Sequence, residues 1–177
     1  APANLDDIPF PARHLIDNDL YFMPIHGKKF TSILGSRGCP YNCLYCSRPV
    51  IGRNVRYRSP RNVIDEMEEC IREYGIEWFQ FVDDTMTLNR NHTIQFCEEV
   101  IDRKLEVDWG CQTRVDLVDE NLLMTMYKSG CREISFGVES GNERIRKILR
   151  KSFSTETVFK AFKLCRKIGI ETVAFFM

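Results

Sequence analysis

Residues 59–84 read SPRNVIDEMEECIREYGIEWFQFVDD, and this stretch carries one complete structural unit. Ser59 and Pro60 form a helix start, because a serine hydroxyl caps free N–H groups and a proline fits the first turn. Val63, Ile64, Met67, Cys70, Ile71 and Tyr74 follow at helical spacing, which gives the helix one apolar face. Gly75 then supplies the left-handed residue on which helices commonly stop. Trp78 to Val82 reads as a strand, with Asp83 and Asp84 just past its end.

The same unit recurs on both sides. Phe30 to Leu34 is a first strand candidate, ended by Gly35. Ile94, Cys97, Val100 and Ile101 mark a second helix, and Val107 to Thr113 a third strand with Arg114 at its end. Asp119 caps a helix carrying Leu122, Leu123 and Met126, after which Glu133 to Val138 forms a fourth strand that runs into Glu139-Ser140-Gly141. Ser154 caps a helix carrying Val158, Phe162, Cys165 and Ile168, and Thr172 to Met177 begins a fifth strand. Gly75-Ile76-Glu77 and Gly169-Ile170-Glu171 repeat one junction. Strand, helix, glycine, strand is a run of βα units, which requires parallel strands and right-handed crossovers. A doubly wound sheet and a (β/α) barrel both satisfy it, and in both the chemistry gathers at the C-terminal ends of the strands.

Residues 1–30 are different. Pro2, Pro9, Pro11 and Pro24 break any helix, so this part reads as a linker or leading arm with a short strand near Leu20 to Phe22. The division is therefore an arm over 1–30 and an α/β core over 31–177.

Composition narrows the class. The 177 residues carry 25 basic and 25 acidic side chains, so no basic excess points to nucleic acid. No apolar run approaches the roughly 20 residues of a membrane span, and Ala1 to Asp7 does not resemble a signal peptide. Eight cysteines are many for this length. Cys70, Cys97, Cys111, Cys131 and Cys165 sit singly in apolar-periodic segments and read as small buried hydrophobes in a reducing cytoplasm.

The other three are clustered: Gly38-Cys39-Pro40-Tyr41-Asn42-Cys43-Leu44-Tyr45-Cys46. Three thiolates in one tight loop suit three corners of an iron–sulfur cubane, leaving one iron for another ligand. Zinc is the rival, with His26 or Cys111 as a fourth ligand, although structural zinc sites usually come as two separated pairs. A non-catalytic zinc-stabilised binding module is thus the alternative function. Arg37, Arg48 and Arg53 flank the loop and either balance cluster charge or stay solvated. Trp78 and Trp109 read as packing.

Cys39, Cys43 and Cys46, with Tyr45 before the last cysteine and a βα series behind them, resemble the signature of the radical S-adenosylmethionine superfamily. The resemblance covers roughly residues 31–177. It implies a parallel partial TIM barrel, a [4Fe–4S] cluster on the three cysteines and S-adenosylmethionine on the fourth iron. Reductive cleavage would then give a 5′-deoxyadenosyl radical that abstracts hydrogen from a small-molecule substrate, with flavodoxin or ferredoxin as reductant. It further implies Tyr45 near the adenine, Asp83 and Asp84 near the methionyl amino group in place of a glycine-rich motif, Arg114 on the cofactor carboxylate, and Glu139 and Ser140 near ribose or methionyl groups.

Asp7-Ile8-Pro9-Phe10-Pro11-Ala12-Arg13, Phe81-Val82-Asp83-Asp84 and Gly137-Val138-Glu139-Ser140-Gly141 are similar to the cobalamin-associated group of that superfamily. That group includes methyltransferases and the anaerobic magnesium-protoporphyrin monomethyl ester cyclase. His14, His26 and His92 do not match its Asp-x-His-x-x-Gly motif, so cobalamin is expected only in a longer parent chain. The family barrel has six units, so five strands imply truncation after the fifth, whose open edge would favour self-association.

Overall fold

The computed structural model describes residues 4–47 and 52–177. Five strands, β1 (Phe30–Ile33), β4 (Trp78–Phe81), β5 (Asp108–Thr113), β6 (Cys131–Glu139) and β7 (Glu171–Phe176), form one parallel sheet in the order β1-β4-β5-β6-β7. Each strand lies beside the previous one and the order never reverses. That decides between the two architectures open to the sequence: a doubly wound sheet reverses direction and a barrel wall does not. The sheet is an open arc of barrel wall.

Helices α1 (Pro60–Tyr74), α2 (Arg90–Asp102), α3 (Glu120–Lys128), α4 (Glu143–Ile148) and α5 (Thr155–Ile168) lie between the strands. Their ends follow local chemistry. The Ser59, Asn89, Asp119 and Ser154 side chains each accept from a backbone N–H of the first turn. Gly75 and Gly169 take left-handed φ of 64° and 97° at the ends of α1 and α5. Helix α1 packs on α2, α2 on α3 and α3 on α5.

Register assigns the two faces, because paired residues on neighbouring strands share one. Ile33, Phe81, Phe79, Trp109, Cys111, Ile134 and Phe136 face the helices and are buried. Phe81, Phe96 and Trp109 pack edge-to-face with centroids 5.1–5.6 Å apart, each pair worth about 0.5–1.5 kcal/mol beyond burial. The five single cysteines Cys70, Cys97, Cys111, Cys131 and Cys165 are fully enclosed here. Burial pushes the Cys97 and Cys165 thiols up to about 12, so they stay protonated and pack as small hydrophobes. The opposite face carries the row Ser32, Gln80, Gly110, Glu133 and Glu171, with Gln112, Ser135 and Val173 one layer above. It is polar, as the inside of a ligand-holding barrel can be.

Between β1 and α1 a two-stranded antiparallel ladder, β2 (Ser36–Arg37) with β3 (Arg56–Tyr57), brackets the cysteine loop. The arm forms three single helical turns, and the strand expected near Leu20–Phe22 shrinks to one bridge between Phe22 and Lys29. Arg13 pins the arm to the core. Its guanidinium donates to Thr31 Oγ1 at 3.0 Å and the Ser32 carbonyl at 2.9 Å and pairs with Glu66 at 2.7 Å. Glu66 also pairs with Arg58, so a buried arginine–glutamate–arginine triad joins the arm, β1 and α1. No described helix is long and apolar enough to cross a membrane.

Candidate cluster and cofactor site

The strand tips create the site. A cavity of about 190 Å³ opens at the C-terminal end of the polar face, lined by the cysteine loop, the β4–α2 and β5 tips, the end of β6, and Lys151. Cys39, Cys43 and Cys46 all line it and all carry free thiols. Cys39 and Cys43 are half-buried and Cys46 is exposed. The loop is tied on several sides. Cys39 N donates to the Gly52 carbonyl at 3.3 Å, Cys46 N to the Cys43 carbonyl at 3.3 Å, and Leu44 N to the Leu149 carbonyl at 3.2 Å. Gly38 has φ +99°, and a Cβ there would stand 2.5 Å from the Asn54 carbonyl oxygen, so only glycine lets the loop start here.

Electrostatics around the thiols favour a bound anion. Burial pushes the Cys43 thiol up, while Lys151 and Arg114 pull it back down. Arg114 leaves β5 and lies over the Tyr41 ring, 3.9 Å from its centroid. Nε and Nη2 donate to Asp116 at 2.9 and 2.7 Å. Its Nη1 is buried in the cavity wall without a hydrogen-bond partner. An orphaned cationic donor in a polar cavity costs free energy unless an acceptor fills it.

Across the cavity, Glu139 ends β6. A register shift between Gly137 and Glu139 marks a bulge, and Glu139 has φ 67°, a left-handed conformation uncommon for a non-glycine residue. This aims the carboxylate into the cavity, where Oε1 accepts from Lys151 Nζ at 2.6 Å and from the Tyr45 hydroxyl at 2.5 Å. Burial, then that hydrogen bond, pushes the Tyr45 phenol well above its ordinary range.

The nine residues singled out in the sequence divide. Cys39, Cys43, Cys46, Tyr45, Asp84, Arg114 and Glu139 line the cavity together. Asp83 and Ser140 do not. The Asp83 carboxylate turns back under β1, accepting from Gly35 N at 2.9 Å and from the Ser36 hydroxyl, and is 2% exposed. It fastens the corner from which the cysteine loop departs. Ser140 accepts from Asn142 N through its hydroxyl and from Arg146 through its carbonyl, so it organises the turn into α4. Among the lining residues not singled out in the sequence are Lys151 and Tyr41. Lys151 sits beyond a helix too short for periodicity to detect, and Tyr41 shows its role only through the stack on Arg114.

The flanking arginines also separate. Arg37 faces another cavity, shared with Leu5, Pro9 and Phe10. Arg53 donates to the Asn42 side chain. Arg48 lies outside the described residues. The two residues considered as a fourth zinc ligand are elsewhere: His26 stacks on Trp78 at the start of β4, and Cys111 is a free thiol buried in the core. Neither lines the thiol cavity.

The donor set therefore fits a cluster with one open iron and a zwitterionic co-ligand: three free thiols, an unpaired guanidinium donor, and a carboxylate held by lysine and tyrosine. A βα barrel wall with these three groups at its strand tips has the donor chemistry that a cubane-binding core requires. Residues 33–177 match the family model of the Radical SAM superfamily, and the chain belongs to that superfamily, whose members use a [4Fe–4S] cluster and S-adenosylmethionine.

Particular relatives sharpen the placement. The chain is 33% identical over 175 residues to an uncharacterized methyltransferase of Pyrococcus horikoshii, covering 98% of this chain and 38% of that protein. It is 37% identical over 146 residues to the anaerobic magnesium-protoporphyrin IX monomethyl ester cyclase of Cereibacter sphaeroides, covering 80% of this chain and 24% of that one. Among solved structures, the radical S-adenosylmethionine methyltransferase TsrM of Kitasatospora setae, with cobalamin and a [4Fe–4S] cluster bound, superposes with a TM-score of 0.77 at 22% identity. That match covers 84% of this chain and 31% of TsrM, and it supports the fold. The chain thus spans between about a quarter and two fifths of these relatives' lengths.

Proposed function

We propose that residues 31–177 form the catalytic core of a radical S-adenosylmethionine methyltransferase or cyclase, with residues 1–30 as an arm that leads into it. The observation that carries this reading is one cavity lined by three free thiols, Arg114 with its unpaired Nη1, and the Lys151–Glu139–Tyr45 group. When bound, the cluster supplies the electron that cleaves S-adenosylmethionine to the radical-forming products typical of the superfamily.

The chain's own residues do the holding. Cys39, Cys43 and Cys46 anchor the cluster as thiolates. Arg114 Nη1 offers a charge-assisted donor to the cofactor carboxylate, with Asp116 and the Tyr41 ring fixing the guanidinium plane. Glu139 and Asp84 offer acceptors to its hydroxyl and amino groups. Tyr45 bonds Glu139 and braces the cysteine loop against β6. Asp83 and Ser140 act through the backbone they hold. Gly35 and Gly137 lie where strand ends must approach other groups closely, and a Cβ on Gly137 would stand 2.4 Å from Lys151 Nζ.

A small organic substrate and an electron donor such as flavodoxin or ferredoxin complete the reading. The relatives' methyltransferase and cyclase names support methyl transfer or oxidative cyclisation as the outcome, with cobalamin held by another part of a longer parent chain. Eight free cysteines support a reducing, cytoplasmic setting.

Anaerobic reconstitution tests the core claim through iron and sulfide analysis and electron paramagnetic resonance. The expected result is a cubane signal that changes on addition of S-adenosylmethionine, and cofactor cleavage that Cys43→Ala abolishes. Uptake of zinc without a cubane, or cleavage by the Cys43→Ala protein, overturns it.

A further inference from the structure

The other end of the sheet holds a second constellation. Glu133 and Glu171 are directly paired at the starts of β6 and β7 and share the polar face. Like charges opposed across strands destabilise a sheet unless compensated. Among the described residues no lysine or arginine pairs with either carboxylate: the nearby Lys28 and Arg132 both go to Asp108. The group that does approach is His26, from the turn that precedes β1.

The His26 ring is fixed by stacking on Trp78, with centroids 4.7 Å apart and planes 16° from parallel. Nε2 is buried, makes no hydrogen bond, and stands 3.8 Å from Glu171 Oε2. One ligand atom from each of His26, Glu133 and Glu171 falls within 4.8 Å of the other two. Two ligands on a tetrahedral zinc, each at about 2.0–2.1 Å, stand roughly 3.4 Å apart. Small side-chain rotations therefore bring these three atoms to coordination distance.

We infer that His26, Glu133 and Glu171 form a divalent-cation site of zinc type on the floor of the barrel, remote from the cysteine loop. One imidazole and two carboxylates suit a borderline metal and supply no thiolate. The cation compensates the paired carboxylates and gives the orphaned Nε2 a partner. The bound metal fastens the arm, through His26, to β6 and β7. Water takes the remaining coordination positions.

The test uses the cluster-loaded full chain, titrated anaerobically with Zn²⁺ against a chromophoric chelator. One Zn²⁺ per chain is expected, with affinity falling more than about tenfold in both His26→Gln and Glu171→Gln while iron content stays constant. Equal Zn²⁺ affinity in the variants, or no uptake by the unaltered chain, overturns the site. Co²⁺ added to the unaltered, cluster-loaded chain gives a reading that no variant's folding can affect. Weak visible bands of nitrogen–oxygen ligation support the assignment. An intense thiolate charge-transfer band places the metal on cysteine and rejects it.

Discussion

Lys151 Nζ lies 2.6 Å from Glu139 Oε1, with both side chains only 7% exposed. The same ammonium donates to the Gly137 carbonyl at 2.8 Å. The pair thus joins the segment after α4 to the bulged end of β6. Removing one partner of a buried pair strands the other charge, at a cost of about 3–5 kcal/mol. Lys151→Met should destabilise the fold by about that amount in urea denaturation. The double variant Lys151→Met, Glu139→Gln should recover part of the loss, because no unpaired charge is then left inside. A double variant as unstable as the sum of the two single ones would show that the residues act independently.

Arg114 makes a different prediction. Two of its nitrogens are spent on Asp116, and Nη1 is free within the cavity. Arg114→Lys keeps the charge and loses the planar fork that holds one donor on Asp116 and another in the cavity. A lost charge-assisted hydrogen bond is worth about 1.5–3 kcal/mol, so S-adenosylmethionine binding to the cluster-loaded chain should weaken roughly 10- to 150-fold. Equilibrium binding measures this. An unchanged affinity would assign Arg114 to the Tyr41 stack alone.

Where the sequence was readable, it was so for identifiable reasons. Helices α1, α2, α3 and α5 carry both apolar periodicity and a side-chain cap, and these local signals survive folding unchanged. The polar face was hidden because Gln80, Gly110, Glu133 and Glu171 adjoin only once the register is set. Asp83 and Asp84 are adjacent in sequence and look equivalent. The chain direction at the strand end sends one to the Gly35 corner and the other to the cavity. Short elements such as α4 and the β2–β3 ladder give periodicity too few residues to register.

Gly38 marks where the cysteine loop leaves β2. With φ +99° and the Asn54 carbonyl 2.5 Å from any added Cβ, an alanine there is both strained and clashing. The strain falls on the loop rather than the sheet. Gly38→Ala should therefore lower iron loading sharply after reconstitution while leaving the far-ultraviolet circular dichroism close to that of the unaltered chain. Full iron content in this variant would show that the loop can reach its ligand geometry from another backbone path.

Asp83 links the site's framework to pH. Burial raises its carboxyl above the ordinary range, against the opposing pull of Ser36 and Gly35. The folded chain therefore keeps this proton to higher pH than the unfolded chain, whose aspartates titrate near about 3.9. Stability from this group is complete below that value and is lost as pH rises through the folded-state pKa. Asp83→Asn has no such proton. Its amide oxygen can accept from Gly35 N while its nitrogen donates to the Ser36 hydroxyl, which both donates and accepts, so the variant is a reference without a proton to lose. Comparing urea midpoints from about pH 4 upward cancels the contributions of groups common to both proteins. The stability of the unaltered chain relative to the variant should fall steadily as pH rises. A relative stability that grows instead would mean that the hydrogen bonds from Gly35 and Ser36 outweigh burial and that the carboxylate is held ionised beneath the cysteine loop.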